Sequence, residues 1–192
     1  MESQGTALAA WVSALREGHV LVCPTETQLG LLADALSESA VARVCALKRR
    51  PQNEPIALLL PDEAALPLVA TSVPETALVL ARAHWPGPLT LLVPARTSLP
   101  AALVRDGKVG VRVPGPSPAL DLVRAFGGPL TATSANRSGH PPVASAEEAE
   151  LEFAGEVAAV IPGNAQQALP STIVDATGED LVVLRQGAIA LR

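Results

Sequence analysis

Hydrophobic and polar positions along this chain follow two periods. From Thr6 to Arg16 the apolar Leu8, Ala9, Trp11, Val12 and Leu15 recur at helical spacing and Gly18 stops them, which predicts an amphipathic helix. Val20-Leu21-Val22-Cys23 is a short continuous apolar run ended by Pro24, the pattern of a strand buried on both faces. Ser37 reads as the N-cap of a helix carrying Val41, Val44, Cys45 and Leu47, and Ile56 to Leu60 as a second buried strand. Strand, helix and strand at that spacing predict a right-handed parallel pairing of the two strands.

The alternation continues downstream. Asp62 to Ala70, Pro74 to His84, Ala119 to Phe126 and Ser145 to Phe153 read as helices. Leu89 to Val93, Val109 to Pro114, Val157 to Ile161, Thr172 to Val174 and Leu181 to Leu184 read as strands, and Pro129 to Thr133 leads into the polar run that begins at Ser134. Trp85-Pro86-Gly87-Pro88 is a rigid turn, because two prolines and a glycine make a continuing helix very costly. The class is mixed α/β, and open sheets of that class bind ligands in the crevice beyond the strand ends.

Composition narrows the chemistry. The 192 residues form one sizeable core, read as a single domain over 1–192, and it must be built from Leu, Val, Ala and Ile, since aromatics are 2% of the chain and Tyr is absent. With 14 Lys+Arg against 19 Asp+Glu, a net charge of −5 and few rings for base stacking, any nucleic-acid contact must be local. Cys23 and Cys45 lack CxxC spacing and read as ordinary buried thiols, and His19, His84 and His140 are scattered, so no protein-held transition metal is expected. No signal-peptide pattern and no apolar stretch of membrane-spanning length occurs, which reads as a cytoplasmic protein with no membrane partner.

The polar residues gather in a few runs at element ends. Lys48-Arg49-Arg50 is the one place where three cations stand together, and two readings remain open for it: the basic last turn of a helix, or an anion site. P-loop, GxGxxG and GxSxG patterns are all absent. Thr25-Glu26-Thr27, the basic run, Arg112, Ser134-Ala135-Asn136 with Ser138-Gly139, Ser171-Thr172 and Arg185-Gln186-Gly187 supply cations and hydroxyls but few carboxylates. That inventory suits recognition of a polyanion better than acid/base chemistry.

These runs, together with Pro24 ahead of Thr25, Gly30, Pro51, Trp85-Pro86-Gly87-Pro88-Leu89-Thr90, Val111-Arg112-Val113-Pro114 and Ile173-Val174-Asp175, occur in the order seen in the YrdC-like family, which the chain resembles from about Ala7 to Ile189. The resemblance implies a twisted open mixed sheet with helices on both sides, around a large concave, positively charged cavity. It implies a nucleotidyltransferase that makes L-threonylcarbamoyladenylate and pyrophosphate from L-threonine, bicarbonate or CO2, and ATP, for the threonylcarbamoyladenosine modification of tRNA. Mg²⁺ would arrive with ATP, and no metal site on the protein is implied. The product would pass to a downstream tRNA threonylcarbamoyl transferase complex, with tRNA or double-stranded RNA as a further contact. Carried over by position, Lys48, Arg50, Ser134 and Asn136 are the catalytic residues and hold ATP together with Arg185, while Thr27, Arg112 and Ser171 hold L-threonine. Arg49 is left to solvent.

The chain departs from the family pattern at Leu29, Glu54, Leu59 and Pro142. Those departures keep a second reading in view, a protein of the same fold that binds RNA or a nucleotide without threonine-dependent synthesis. Carbamoyl transfer to another acceptor, as in hydrogenase-maturation relatives, is a third and weaker reading, since their accessory zinc-finger and acylphosphatase-like regions are not seen in the sequence.

Overall fold

The computed structural model describes residues 2–49, 55–164, 169–178 and 180–191. Among the described residues nine strands form one open sheet: β1 (Leu21–Pro24), β2 (Leu29–Leu32), β3 (Ala57–Leu59), β4 (Leu89–Pro94), β5 (Lys108–Arg112), β6 (Leu130–Ser134), β7 (Ala159–Val160), β8 (Thr172–Asp175) and β9 (Val182–Arg185). They lie in the order β7-β1-β2-β6-β3-β5-β4-β8-β9. Five α-helices accompany them: α1 (Glu2–Arg16), α2 (Glu38–Lys48), α3 (Glu75–His84), α4 (Pro118–Phe126) and α5 (Ala146–Glu152). Parallel pairs (β1 with β7, β3 with β5, β4 with β8) and antiparallel pairs (β1 with β2, β2 with β6, β3 with β6) make the sheet mixed.

The predicted parallel pairing of the first strand with the strand after α2 does not occur. Leu29 to Leu32 forms the additional strand β2, which folds straight back on β1, and β6 then separates β2 from β3. Thr25 makes the reversal possible. Its hydroxyl donates to the Gln28 carbonyl at 2.7 Å and accepts from the backbone N–H groups of Thr27 and Gln28, the side-chain-to-backbone bonding that lets Thr stabilise turns. The predicted helix over Asp62 to Ala70 is a 3₁₀ helix, Glu63–Leu68. Pro67 cannot give the N–H that an α-helical ladder needs there, and Val69 N–H bonds three residues back, to Leu66 O.

α2 keeps the ends its sequence predicts. The Ser37 hydroxyl accepts from Ala40 N–H, and the helix closes on Arg49, whose left-handed backbone (φ 49°) is uncommon for a residue other than glycine. The chain therefore turns immediately after Lys48, leaving Arg49 exposed as expected. Leu, Val, Ala and Ile fill the core, and Phe153 is its one fully buried aromatic among the described residues. The strands β1 and β2 are buried throughout, so the segment between them is held from both sides. Among the described residues no helix is long and apolar enough to cross a membrane.

Candidate functional site

Short side chains on adjacent strands open space above the sheet. Gly30 of β2 stands opposite Ser134 of β6, and Ala132 of β6 opposite Ala57 of β3, so four neighbouring positions carry little bulk. Above them lies a cavity of about 420 Å³, within the size range of small-molecule sites. Thr27, Thr90, Arg112, Ser134, Ser171 and Arg185 line it. Strand interiors such as Ala57, Leu58 and Ile173 line it too, so it covers the face of the sheet as well as the crevice at the strand ends. Its described lining carries three guanidiniums, with Arg105 the third, and no carboxylate.

The polar residues form three groups. In the first, the turn between β1 and β2 meets the end of β5: the Thr25 and Thr27 hydroxyls are 2.9 Å apart, and Arg112 Nη1 donates to Thr27 Oγ1 at 3.3 Å. The same nitrogen lies 3.2 Å from Glu26 Oε1, which makes an ion pair by distance, but its N–H does not point at that oxygen. The Glu26 contact is Coulombic rather than a hydrogen bond. Burial pushes the Arg112 guanidinium below its ordinary pKa, Glu26 opposes that, and Arg185 adds to it. An arginine starts so high that it stays charged throughout.

In the second group, Arg185 Nε and Nη2 both donate to Ser171 O, at 3.1 and 2.8 Å, and Nη2 also reaches Ser171 Oγ at 3.2 Å. Ser171 Oγ lies 2.9 Å from Thr90 Oγ1, which ties β4 to the start of β8. Gly187 explains why glycine follows Arg185 so closely. A Cβ there would lie 2.2 Å from Pro170 O and 2.6 Å from the Ser171 carbonyl, both rigid backbone. Gly187→Ala is therefore expected to push the crossing apart, to cost about 1–3 kcal/mol by denaturant titration as an overpacked contact, and to lower turnover through Arg185. Unchanged stability would show that the two segments separate freely.

In the third group Lys48, only 2% exposed, reaches from α2 into the loop after β6. Its Nζ donates to Ser134 O at 2.6 Å, to Asn136 Oδ1 at 2.7 Å and to Asn136 O at 3.1 Å. Ser134 Oγ donates to the same Asn136 Oδ1 at 2.6 Å. Further ties hold the loop to the helix: Ser138 N–H bonds Lys48 O at 2.7 Å, and Arg137 Nη1 bonds Leu47 O. Arg137 also pairs with Glu152 and Glu156 and lies 4.9 Å from the Phe153 ring centroid. A helix end that is only basic would leave Lys48 in solvent; this one buries its ammonium against three oxygens.

Thr27, Arg112, Ser134, Ser171 and Arg185 thus share one cavity, and Lys48 and Asn136 stand immediately behind Ser134. Arg50 and Glu54 lie outside the described residues. Thr90 and Arg105 join the lining without having been given a role by sequence, and Glu26, named there only within its run, stands beside Arg112. Thr90 belongs to a motif, but its partner Ser171 is 81 residues away, and nothing in the spacing signals the contact. Among the departures from the family pattern, Leu29 is fully buried and touches the cavity, Leu59 is fully buried in β3, and Pro142 is exposed.

Comparison with known proteins identifies relatives over nearly the whole chain. Residues 13–187 match the Sua5/YciO/YrdC family model, described as "Telomere recombination". A threonylcarbamoyl-AMP synthase of Escherichia coli is 38% identical over 192 residues, covering 96% of this chain and 97% of the relative. One from Pyrococcus abyssi is 37% identical over 179 residues, covering 92% of this chain, and the chain spans about half of it, 53%. The structure of P. abyssi Sua5 complexed with L-threonine superposes with a TM-score of 0.89 at 36% identity, over 94% of this chain and 54% of that one. Ordered motifs, mixed open sheet and family match agree over nearly the whole length, and the chain belongs to the Sua5/YciO/YrdC family.

Proposed function

We propose that the cavity makes L-threonylcarbamoyladenylate from L-threonine, CO2 or bicarbonate, and ATP. The observation that carries this reading is the convergence of Thr27–Arg112, Ser171–Arg185 and Ser134 on one cavity with three arginines and no carboxylate in its described lining. In this reading the threonine carboxylate lies against Arg112 and its other polar groups meet Thr27 and Ser171. The triphosphate lies toward Ser134, with Asn136, Lys48 and Arg50 supporting that wall. Arg185, bonded to Ser171, adjoins both substrates.

The threonine amine adds to CO2 and loses a proton, giving a carbamate. A carbamate oxygen then attacks the α-phosphorus, the bond from that phosphorus to the bridging oxygen breaks, and pyrophosphate leaves. Carboxylate, carbamate and triphosphate repel one another, and fixed cations in a low-dielectric cavity offset that repulsion. Positioning and charge stabilisation suffice, with no protein nucleophile in the scheme. Mg²⁺ would be carried by phosphate oxygens and water, as is usual for this ion, and would neutralise part of the triphosphate charge. The cavity's described hydroxyls and guanidiniums offer it no anionic ligand. The same reading makes the protein a single cytoplasmic domain whose product passes to a tRNA threonylcarbamoyl transferase complex.

The test is pyrophosphate release from ATP and bicarbonate with single amino acids. Release that depends on L-threonine is expected; release indifferent to it would sink the assignment. Tight binding of structured RNA without any threonine-linked ATP binding would instead favour a module that only binds.

A further inference from the structure

Glu26 is a carboxylate placed where the fold should avoid one. It is 5% exposed, and neither of its oxygens accepts a hydrogen bond among the described residues. Gly115 leaves room for it: a Cβ at 115 would come within 2.9 Å of Glu26 Cγ. A buried carboxylate that accepts no hydrogen bond is costly, and its one compensation is the Arg112 charge 3.2 Å away. Stability of the pair alone does not account for that charge, since two apolar side chains of similar volume would be buried as easily.

The surroundings do. Arg112 and Arg185 both line the cavity, and each guanidinium is a planar fork suited to hold phosphate in bidentate fashion. Without Glu26 this end would carry two positive charges; with Oε1 3.2 Å from Arg112 it carries one. We infer that Glu26 is a specificity-determining residue that sets this end of the cavity to accept one singly charged carboxylate and to reject phosphate dianions. The inference rests on the threonine reading above. It meets a problem that reading creates, since triphosphate enters and pyrophosphate leaves beside a pocket that two unopposed arginines would turn into a phosphate trap. Rejecting the wrong ligand by a fixed like charge is a common source of specificity. Arg112 needs the same partner, because burial and Arg185 both disfavour its charged form and Glu26 favours it.

The experiment titrates inorganic phosphate into wild type, Glu26→Gln and Glu26→Asp by calorimetry, with and without saturating L-threonine. Glu26→Gln is expected to bind phosphate at least about tenfold more tightly than wild type, since one full charge is removed a few ångströms from the ligand. L-Threonine should abolish that gain. Glu26→Asp keeps the charge and should stay near wild type. Equal phosphate affinity in wild type and Glu26→Gln overturns the inference, as does Glu26→Asp behaving like Glu26→Gln. Glu26→Gln leaves Arg112 buried without its counter-charge and is expected to melt below wild type; phosphate is titrated at a temperature where the variant is folded, and a variant that folds at no temperature makes Glu26 a structural group and also overturns the inference. The broader reading fails separately, through the threonine dependence of the wild-type reaction.

Discussion

An Arg112→Met variant is expected to lose about 3–5 kcal/mol of folding stability, the usual consequence of removing one member of a buried ion pair. The two side chains are 8% and 7% exposed, so solvent screens little of the charge left behind on Glu26. Met fills much of the space without supplying a counter-charge. The double variant Glu26→Gln with Arg112→Met removes the stranded charge and should regain most of the loss in urea titrations. That recovery separates a charge effect from a packing effect. Should the single variant be as stable as wild type, Glu26 would have found solvent and the buried pair would not exist. L-Threonine binding should be weakened in the single and the double variant alike, because neither holds the guanidinium that Thr27 orients.

The pattern of the sequence foretold the element types better than their partners. Buried apolar runs such as Leu21–Pro24 and Leu89–Pro94 are strands whatever lies beside them, so their period alone identifies them. β2 escaped because its four residues follow a polar turn and are interrupted by Gly30, and the Thr25 hydroxyl that shapes the turn has no signature of its own. Missing β2, and reading the start of β6 only as the lead into a polar run, suffices to misplace their neighbours, since β2 and β6 occupy the position that a simple parallel crossover would have filled. The cavity was legible only as a set of motifs. Arg112 and Thr27 are 85 residues apart, and Lys48 and Ser134 are 86 apart, distances at which spacing carries no geometric information. Glu26 shows the limit most clearly: it sits inside a motif between two recognised threonines, yet only its burial against Arg112 reveals a task.

Replacing Lys48 with methionine is expected to lower threonine-dependent pyrophosphate release at least about tenfold, equivalent to about 1.4 kcal/mol of transition-state stabilisation. The reason differs from that of a phosphate contact. Lys48 is absent from the described lining of the cavity, and its ammonium is engaged by Ser134 O, Asn136 O and Asn136 Oδ1. It is a positioning residue, acting on the phosphates through the Ser134–Asn136 loop and through its charge just behind that loop. Met keeps the stem and removes the charge, so Ser134 O, Asn136 O and Asn136 Oδ1 each lose a charged donor, a hydrogen bond worth about 1.5–3 kcal/mol, while Asn136 N–H and Ser134 Oγ still donate to Ser134 O and Asn136 Oδ1. A loop loosened in this way should raise the KM for ATP along with the loss in turnover. The threonine end is built on other elements, from the β1–β2 turn and β5, so calorimetric affinity for L-threonine in the absence of ATP should stay at the wild-type value. A general loss of folding would weaken both, which the threonine titration and a melting curve would show together. Wild-type rates in Lys48→Met would mean that the buried ammonium only closes α2, and the triphosphate wall would then have to rest on Ser134, Asn136 and Arg185.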